Sequence, residues 1–170
     1  SRLIRCEGRT FVSGAEMQEF KQPPRMPYLS DVNEAIEACA KPVVVALHGT
    51  ALGGGFELAL ASHYRIAERA ARMGLPEVKV GLIPGAGGTQ RLPRLIGVPE
   101  AARWITTGEL VGAERALELG VIDEIADGDL MDKAVAAAQR LSGPTVAPRR
   151  TGSLRTPAFH ESELAAIAAQ

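Results

Sequence analysis

Val43-Val44-Val45-Ala46-Leu47 offers no polar side chain to either face. An extended segment of that kind is stable when both faces are covered, as in a parallel sheet lying between helices. Parallel neighbours require crossover connections, so the run predicts strand–helix–strand units rather than hairpins. Upstream, Asp31 with Glu34 resembles a capping box, and Val32, Ala35, Ile36 and Cys39 recur at helical spacing, which predicts a helix running up to Lys41-Pro42. Downstream, His48 to Gly55 carries four glycines and Phe56 to Ala61 is a strong helix former. The chain should therefore turn sharply from strand to helix near Gly53, and the fold class is α/β.

The remaining elements fit that class. Arg2 to Cys6 reads as a half-buried strand and Gly8 to Gly14 as a turn, while Pro23, Pro24 and Pro27 exclude regular structure until about Leu29. Tyr64 to Ala67 is a short strand, and Leu75 to Gly88 is a Gly/Pro-rich connection leading to Thr89-Gln90-Arg91. Helices are expected over Pro99 to Thr106, over Ala113 to Leu119 with Gly120 as a stop, and over Leu130 to Leu141. Val121 to Ile125 should be a short strand between the last two. No repeat at a fixed period suggests a solenoid or propeller. The expected organisation is one domain over 1–142, then a basic, Pro-containing linker and the start of a further helix over 143–170.

At 170 residues the chain amounts to one domain, large enough for a buried core. Nineteen basic and twenty acidic residues give a net charge of −1, which advertises neither nucleic acid nor an acidic membrane as a partner and points to a small molecule. Cys6 and Cys39 have no metal-type or disulfide-framework spacing, so reduced, buried thiols are expected and no zinc site. No run of eighteen apolar residues and no leader pattern is present. Because the chain opens directly on a strand without Met, it is expected to be part of a longer polypeptide.

Chemistry concentrates at Ala51-Leu52-Gly53-Gly54-Gly55-Phe56-Glu57. Amides in the first helical turn lack an intrahelical acceptor and sit at the positive end of the helix dipole, so the Gly54 N–H can meet an anion. Glu57, three residues on, lies on the same face about one turn away. Such a pair suits a carbonyl oxygen that gains charge while a proton moves beside it. In Leu75-Pro76-Glu77-Val78 a second carboxylate stands among apolar residues, and two carboxylates in a dry pocket can hold different protonation states. Taken singly, a glycine turn and a helical glutamate are also common as mere packing and solvated charge.

Rival motifs fail. Gly85-Ala86-Gly87-Gly88-Thr89-Gln90 has Gln90 where a dinucleotide fingerprint needs glycine, and no Lys-Ser/Thr pair makes it a phosphate loop. His48, His63 and His160 are scattered, without a nucleophile-elbow Ser or Cys, and are read as structural or exposed. Leu130 to Leu141 reads as a packing face, and Arg149-Arg150 as solvated linker charge.

Three segments together resemble the successive signatures of the enoyl-CoA hydratase/isomerase (crotonase) superfamily: Phe11 to Glu16, His48 to Ala59, and Leu75-Pro76-Glu77-Val78 through Gly81 to Leu92. Their wording most resembles the hydratase part of bifunctional fatty-acid oxidation enzymes, in which a 3-hydroxyacyl-CoA dehydrogenase follows. The resemblance implies a crotonase-like fold of ββα units, N-terminally incomplete here because the family's first strands and helix, with part of its coenzyme A site, are missing. It implies that the amides of Ala15 and Gly54, with Gly53 at the turn, form an oxyanion hole for a thioester carbonyl. Glu57 and Glu77 would flank a water and exchange protons as it adds across a trans-2-enoyl-CoA, and Pro84 and Gly85 would help shape the pocket wall.

No cofactor or metal is implied, since the coenzyme A thioester is the substrate. Glu16 departs from the family's usual Asp and would alter a loop contact rather than the chemistry. Enoyl-CoA isomerisation in the same pocket and an inactive fragment are the alternatives. A homotrimer or hexamer and a covalently following dehydrogenase domain are implied partners, in the cytoplasm of a bacterium or the peroxisome or mitochondrion of a eukaryote.

Overall fold

The computed structural model describes residues 1–14, 26–143 and 146–168. Along the chain the elements are β1 (Arg2–Ile4), α1 (Leu29–Glu37), β2 (Val43–Leu47), β3 (Thr50–Leu52), α2 (Gly54–Ala61), β4 (Tyr64–Glu68), β5 (Arg72–Gly74) and a 3₁₀ turn (Pro76–Val80). They continue as α3 (Gly88–Ile96), α4 (Val98–Thr107), β6 (Val111–Gly112), α5 (Ala113–Glu118), β7 (Glu124–Ala126), α6 (Leu130–Arg140), a second 3₁₀ turn (Thr151–Ser153) and α7 (Glu161–Ala168).

β2 lies inside an all-parallel sheet of order β1-β2-β4-β7, with Val44 opposite Leu3 on one side and Tyr64 on the other. Every residue of β2 is buried, as its uniformly apolar composition requires. Alternation divides its side chains between two cores. Val45 and Leu47 meet Phe56, Leu60, Leu75, Leu92 and Trp104, while Val44 and Ala46 join Ile66 against Ala134, Ala137 and Ala138 of α6. Phe56 and Trp104 stack with ring centroids 6.4 Å apart, and burying each contributes roughly 1.5–3 kcal/mol. A second sheet, β3-β5-β6, begins after only two intervening residues, His48 and Gly49. Val12 bridges Ala51 in parallel and accepts the Leu52 N–H at 2.9 Å, which aligns the 11–14 segment with β3.

Four local expectations are corrected. Asp31 does not start its helix: α1 begins at Leu29, and Asp31 reaches back to accept the Tyr28 N–H at 2.9 Å. The strand expected over Val121 to Ile125 forms instead over Glu124–Ala126, because Val121 and Ile122 are consumed in a turn, both donating to the Ala116 carbonyl. Helix α3 forms where the sequence showed only a Gly/Pro-rich connection leading to Thr89-Gln90-Arg91; Pro93 within it removes a donor, and fully buried Leu92 and nearly buried Arg91 hold it in place. Arg149 is not a free linker charge: it pairs with Asp123 at 2.7 Å, while Thr151 is fully buried.

Burial also accounts for the remaining polar groups. Arg65 is fully buried, donating to the carbonyls of Val121 and Ser62, both at 2.6 Å, and desolvation pulls its guanidinium down to about 10 with Asp123 as partial compensation. His63 accepts the Val43 N–H at 2.9 Å, and its other ring nitrogen meets the Glu37 carbonyl at 3.1 Å, as a structural histidine should. Cys6 and Cys39 are free and half-buried.

Candidate active site

The turn from β3 into α2 is built on Gly53, whose φ of 53° and ψ of −128° suit glycine and little else. A Cβ on Gly55 would collide with Val12, so glycine there allows the 11–14 segment to lie against the start of α2. Gly14 Cα consequently comes within 3.8 Å of where a Gly53 side chain would begin. Ala15, the second expected oxyanion donor, and Glu16 beside it lie outside the described residues. Gly54 is the first residue of α2, half-buried, and among the described residues its N–H donates to no acceptor. That is the unsatisfied donor expected of a helix N-terminus.

Glu57 follows in the first turn of α2 and is 3% exposed. Its carboxylate points away from its own helix to the start of another: Oε1 accepts the N–H groups of Ala86 and Gly88, each at 2.8 Å. Gly87 is the N-cap of α3 and Gly88 its first residue, so Glu57 fills the anion site of that second helix. Charge-assisted bonds of this kind are about twice as strong as neutral ones and fix one carboxylate oxygen in place.

Glu77 sits in the first 3₁₀ turn behind Pro76, half-buried, with Oε1 only 3.2 Å from the position of a Cβ on Gly53. Its Oε2 is buried without a hydrogen-bond partner among the described residues. Burial pushes the Glu77 carboxyl above the ordinary glutamate range, its own backbone N–H draws it partly back, and the charge of Glu57 adds to the rise. The two glutamates therefore share one electrostatic neighbourhood next to Gly53 and Gly54. One has an oxygen locked by two amides; the other has an oxygen with no partner among the described residues. An open main-chain donor beside such a pair can stabilise a developing oxyanion while protons are exchanged a few ångströms away.

Pro84 is buried and Gly85 exposed, in the turn that delivers Ala86 to Glu57. Both line a cavity of about 450 Å³ between α1 and α3 with Ser30, Glu34, Gln90 and Arg94, onto which neither Glu57 nor Glu77 opens. Their relation to the carboxylates runs through the main chain of the turn. The reading of single motifs also missed the Ala86 and Gly88 amides, for which the Gly85-to-Gly88 run was the available signal. Among the described residues no group of three or more His, Cys, Asp or Glu is placed to hold a metal ion, and no helix is long and apolar enough to cross a membrane.

A family model described as enoyl-CoA hydratase/isomerase matches residues 3–167. The chain belongs to the enoyl-CoA hydratase/isomerase family. It is 51% identical over 155 residues to the peroxisomal bifunctional enzyme of Danio rerio, covering 91% of this chain and 22% of that protein. It is 42% identical over 149 residues to a probable enoyl-CoA hydratase of Bacillus subtilis, covering 82% of this chain and 58% of that protein. Among solved structures, an enoyl-CoA hydratase from Bacillus anthracis superposes with a TM-score of 0.75 at 37% identity, over 83% of this chain and 58% of that one. The crotonase-like α/β fold and the kinship with bifunctional enzymes expected from the motifs are thus borne out. The chain spans about a fifth of the bifunctional relative and 58% of the Bacillus proteins.

Proposed function

We propose that this chain supplies the acid/base and oxyanion groups of an enoyl-CoA hydratase, which adds water across a trans-2-enoyl-CoA to give 3-hydroxyacyl-CoA. The observation that carries the reading is the Glu57 carboxylate, held by the Ala86 and Gly88 amides at 2.8 Å beside a Gly54 N–H that has no acceptor among the described residues. In this scheme the thioester carbonyl accepts from Gly54 and, as the family resemblance implies, from Ala15. Water is held between Glu57 and Glu77. Its oxygen bonds to the β carbon as Glu57 takes one of its protons, the alkene electrons move toward the carbonyl oxygen, and the α carbon collects a proton from Glu77. The Gly54 donor stabilises the enolate-like charge at that moment, and such a donor is typically worth ~10²–10³ in rate. No metal or further cofactor takes part.

Two carboxylates favour hydration over isomerisation, for which one proton-shuttling carboxylate suffices. The acyl-CoA substrate, a trimeric or hexameric assembly and a covalently linked 3-hydroxyacyl-CoA dehydrogenase belong to the same proposal, as does a peroxisomal setting in a eukaryote or a cytoplasmic one in a bacterium.

Glu57→Gln in the intact protein tests it. Hydration of a short trans-2-enoyl-CoA is expected to fall by ~10²–10⁴-fold with the fold preserved. Undiminished turnover would overturn the assignment. Coenzyme A binding without turnover in the unaltered protein would mark a non-catalytic member of the family.

A further inference from the structure

Ala86 takes part in two peptide units, one on either side of its Cα, and both are held. Its N–H donates to Glu57, while its carbonyl accepts from Asn33 Nδ2 at 3.0 Å and from Arg91 Nη1 at 3.2 Å. Asn33 is fully buried and Arg91 is 6% exposed, so neither is a surface side chain that happens to touch the turn. Arg91 is in turn fixed by Glu37, whose Oε2 accepts Nη2 at 2.9 Å and Nε at 3.3 Å. Glu37 Oε1 accepts the Gly152 N–H at 2.5 Å from the second 3₁₀ turn. Burial alone would raise the Glu37 carboxyl, but the Arg91 hydrogen bond, the Gly152 amide and the charges of Arg91 and His63 together hold it below the ordinary range.

We propose that Arg91 is a positioning residue for the hydration reaction: with Asn33 it pins the Ala86 carbonyl, and so the peptide plane joining Ala86 to Gly87, which lies between the two planes whose N–H groups, on Ala86 and Gly88, aim at Glu57, while Glu37 and Gly152 brace Arg91 from behind. A guanidinium suits the task because one planar fork serves Glu37 and Ala86 at once, which a lysine ammonium, a point charge on a flexible stem, does not reproduce. The turn needs such bracing because Gly85, Gly87 and Gly88 leave its backbone with little conformational restriction of its own. The Glu57 carboxylate has no other hydrogen bond among the described residues, so its placement is only as good as that of the 86–88 amides. A misplacement of about 1 Å at a catalytic group can cost on the order of 10²-fold in rate.

The inference rests on the hydratase reading for its kinetic arm, and its structural arm is independent of any activity. In the intact protein, Arg91→Lys and Arg91→Met are compared with the unaltered enzyme by steady-state hydration of a trans-2-enoyl-CoA and by hydrogen exchange of the peptides spanning residues 84–90 and 43–47. Both variants are expected to lower kcat per folded molecule by roughly tenfold or more with KM changed less than about twofold. Exchange at 84–90 should quicken by about tenfold or more while the 43–47 strand stays protected, with Lys milder than Met. Should either variant fail to fold, Glu37→Gln, which keeps the shape but weakens the brace, is read in the same two ways. Unchanged exchange at 84–90, or faster exchange with kcat intact, overturns the proposal. If Glu57→Gln retains full hydration, the functional reading fails, while the exchange result still reports whether Arg91 holds the turn.

Discussion

The Cβ that Gly53 lacks would stand 3.2 Å from Glu77 Oε1, so the residue that turns the chain into α2 also forms part of the wall against which the second carboxylate rests. Backbone conformation and side-chain placement are thereby coupled at a single position.

Gly53→Ala should therefore act twice. The backbone at φ 53° and ψ −128° is unfavourable for any residue with a Cβ, which costs about 1–3 kcal/mol of stability. The added methyl also displaces Glu77. The expected outcome is a lower urea midpoint together with a fall in turnover per folded molecule of about tenfold or more. Equilibrium denaturation and hydration kinetics on the same sample check both, and a variant that loses stability alone would show that Glu77 is not positioned by this contact.

Gly54→Pro removes the N–H proposed for the thioester oxygen while placing proline at a first helical position, where its ring is tolerated. The new atoms would meet Leu29 Cδ2, about 2.5 Å from a Cβ at this site, but that is the far end of a side chain able to turn aside. Hydration should fall by ~10²–10³ with little loss of stability. Near-normal rates in the folded variant would remove Gly54 from the oxyanion site.

Glu77 also makes a prediction about pH. Its folded carboxyl is raised above the ordinary value of 4.5, chiefly by burial and then by Glu57. The protonated form is therefore the better tolerated one: its stabilising contribution is complete below 4.5 and is lost as pH rises through the raised folded value. The ionised form of Glu77 therefore works against the fold. Glu77→Gln should be more resistant to urea than the parent protein at pH 7, with the difference closing as pH falls below about 4. Urea midpoints measured across that range decide it; a pH-independent difference would mean that the substitution acts through packing. Turnover in the same variant should drop sharply, making it a stabilised but impaired enzyme.

Much of this molecule could be read from residue order where a signal is local. Val43 to Leu47 declares a doubly covered strand by composition, and the Gly53-Gly54-Gly55 run followed by Phe56 and Glu57 announces a helix start with a carboxylate in its first turn. What stayed hidden depends on contacts between distant residues. Three-residue β5 is too short to show alternation, and it exists because β3 pairs with it. Helix α3 is concealed by Pro93 and stabilised by Leu92 in the core and by the Arg91–Glu37 pair. Glu77 read as a residue in a loop because 3₁₀ turns of this length carry little periodic signal. The bonds that hold Glu57 join residues 29 and 31 positions apart. No spacing rule reaches that far.

The partners of Glu57 Oε1 are main-chain groups, and this decides which experiments can see them. Replacing the side chain of Ala86 with other small ones leaves its N–H in place, so a conventional alanine scan would pass over a principal support of the carboxylate. Exchanging the amide for an ester at residue 86 or 88 would expose it at once. The same property lets side chains around the turn diversify without disturbing the proposed proton chemistry, provided the peptide planes keep their tilt.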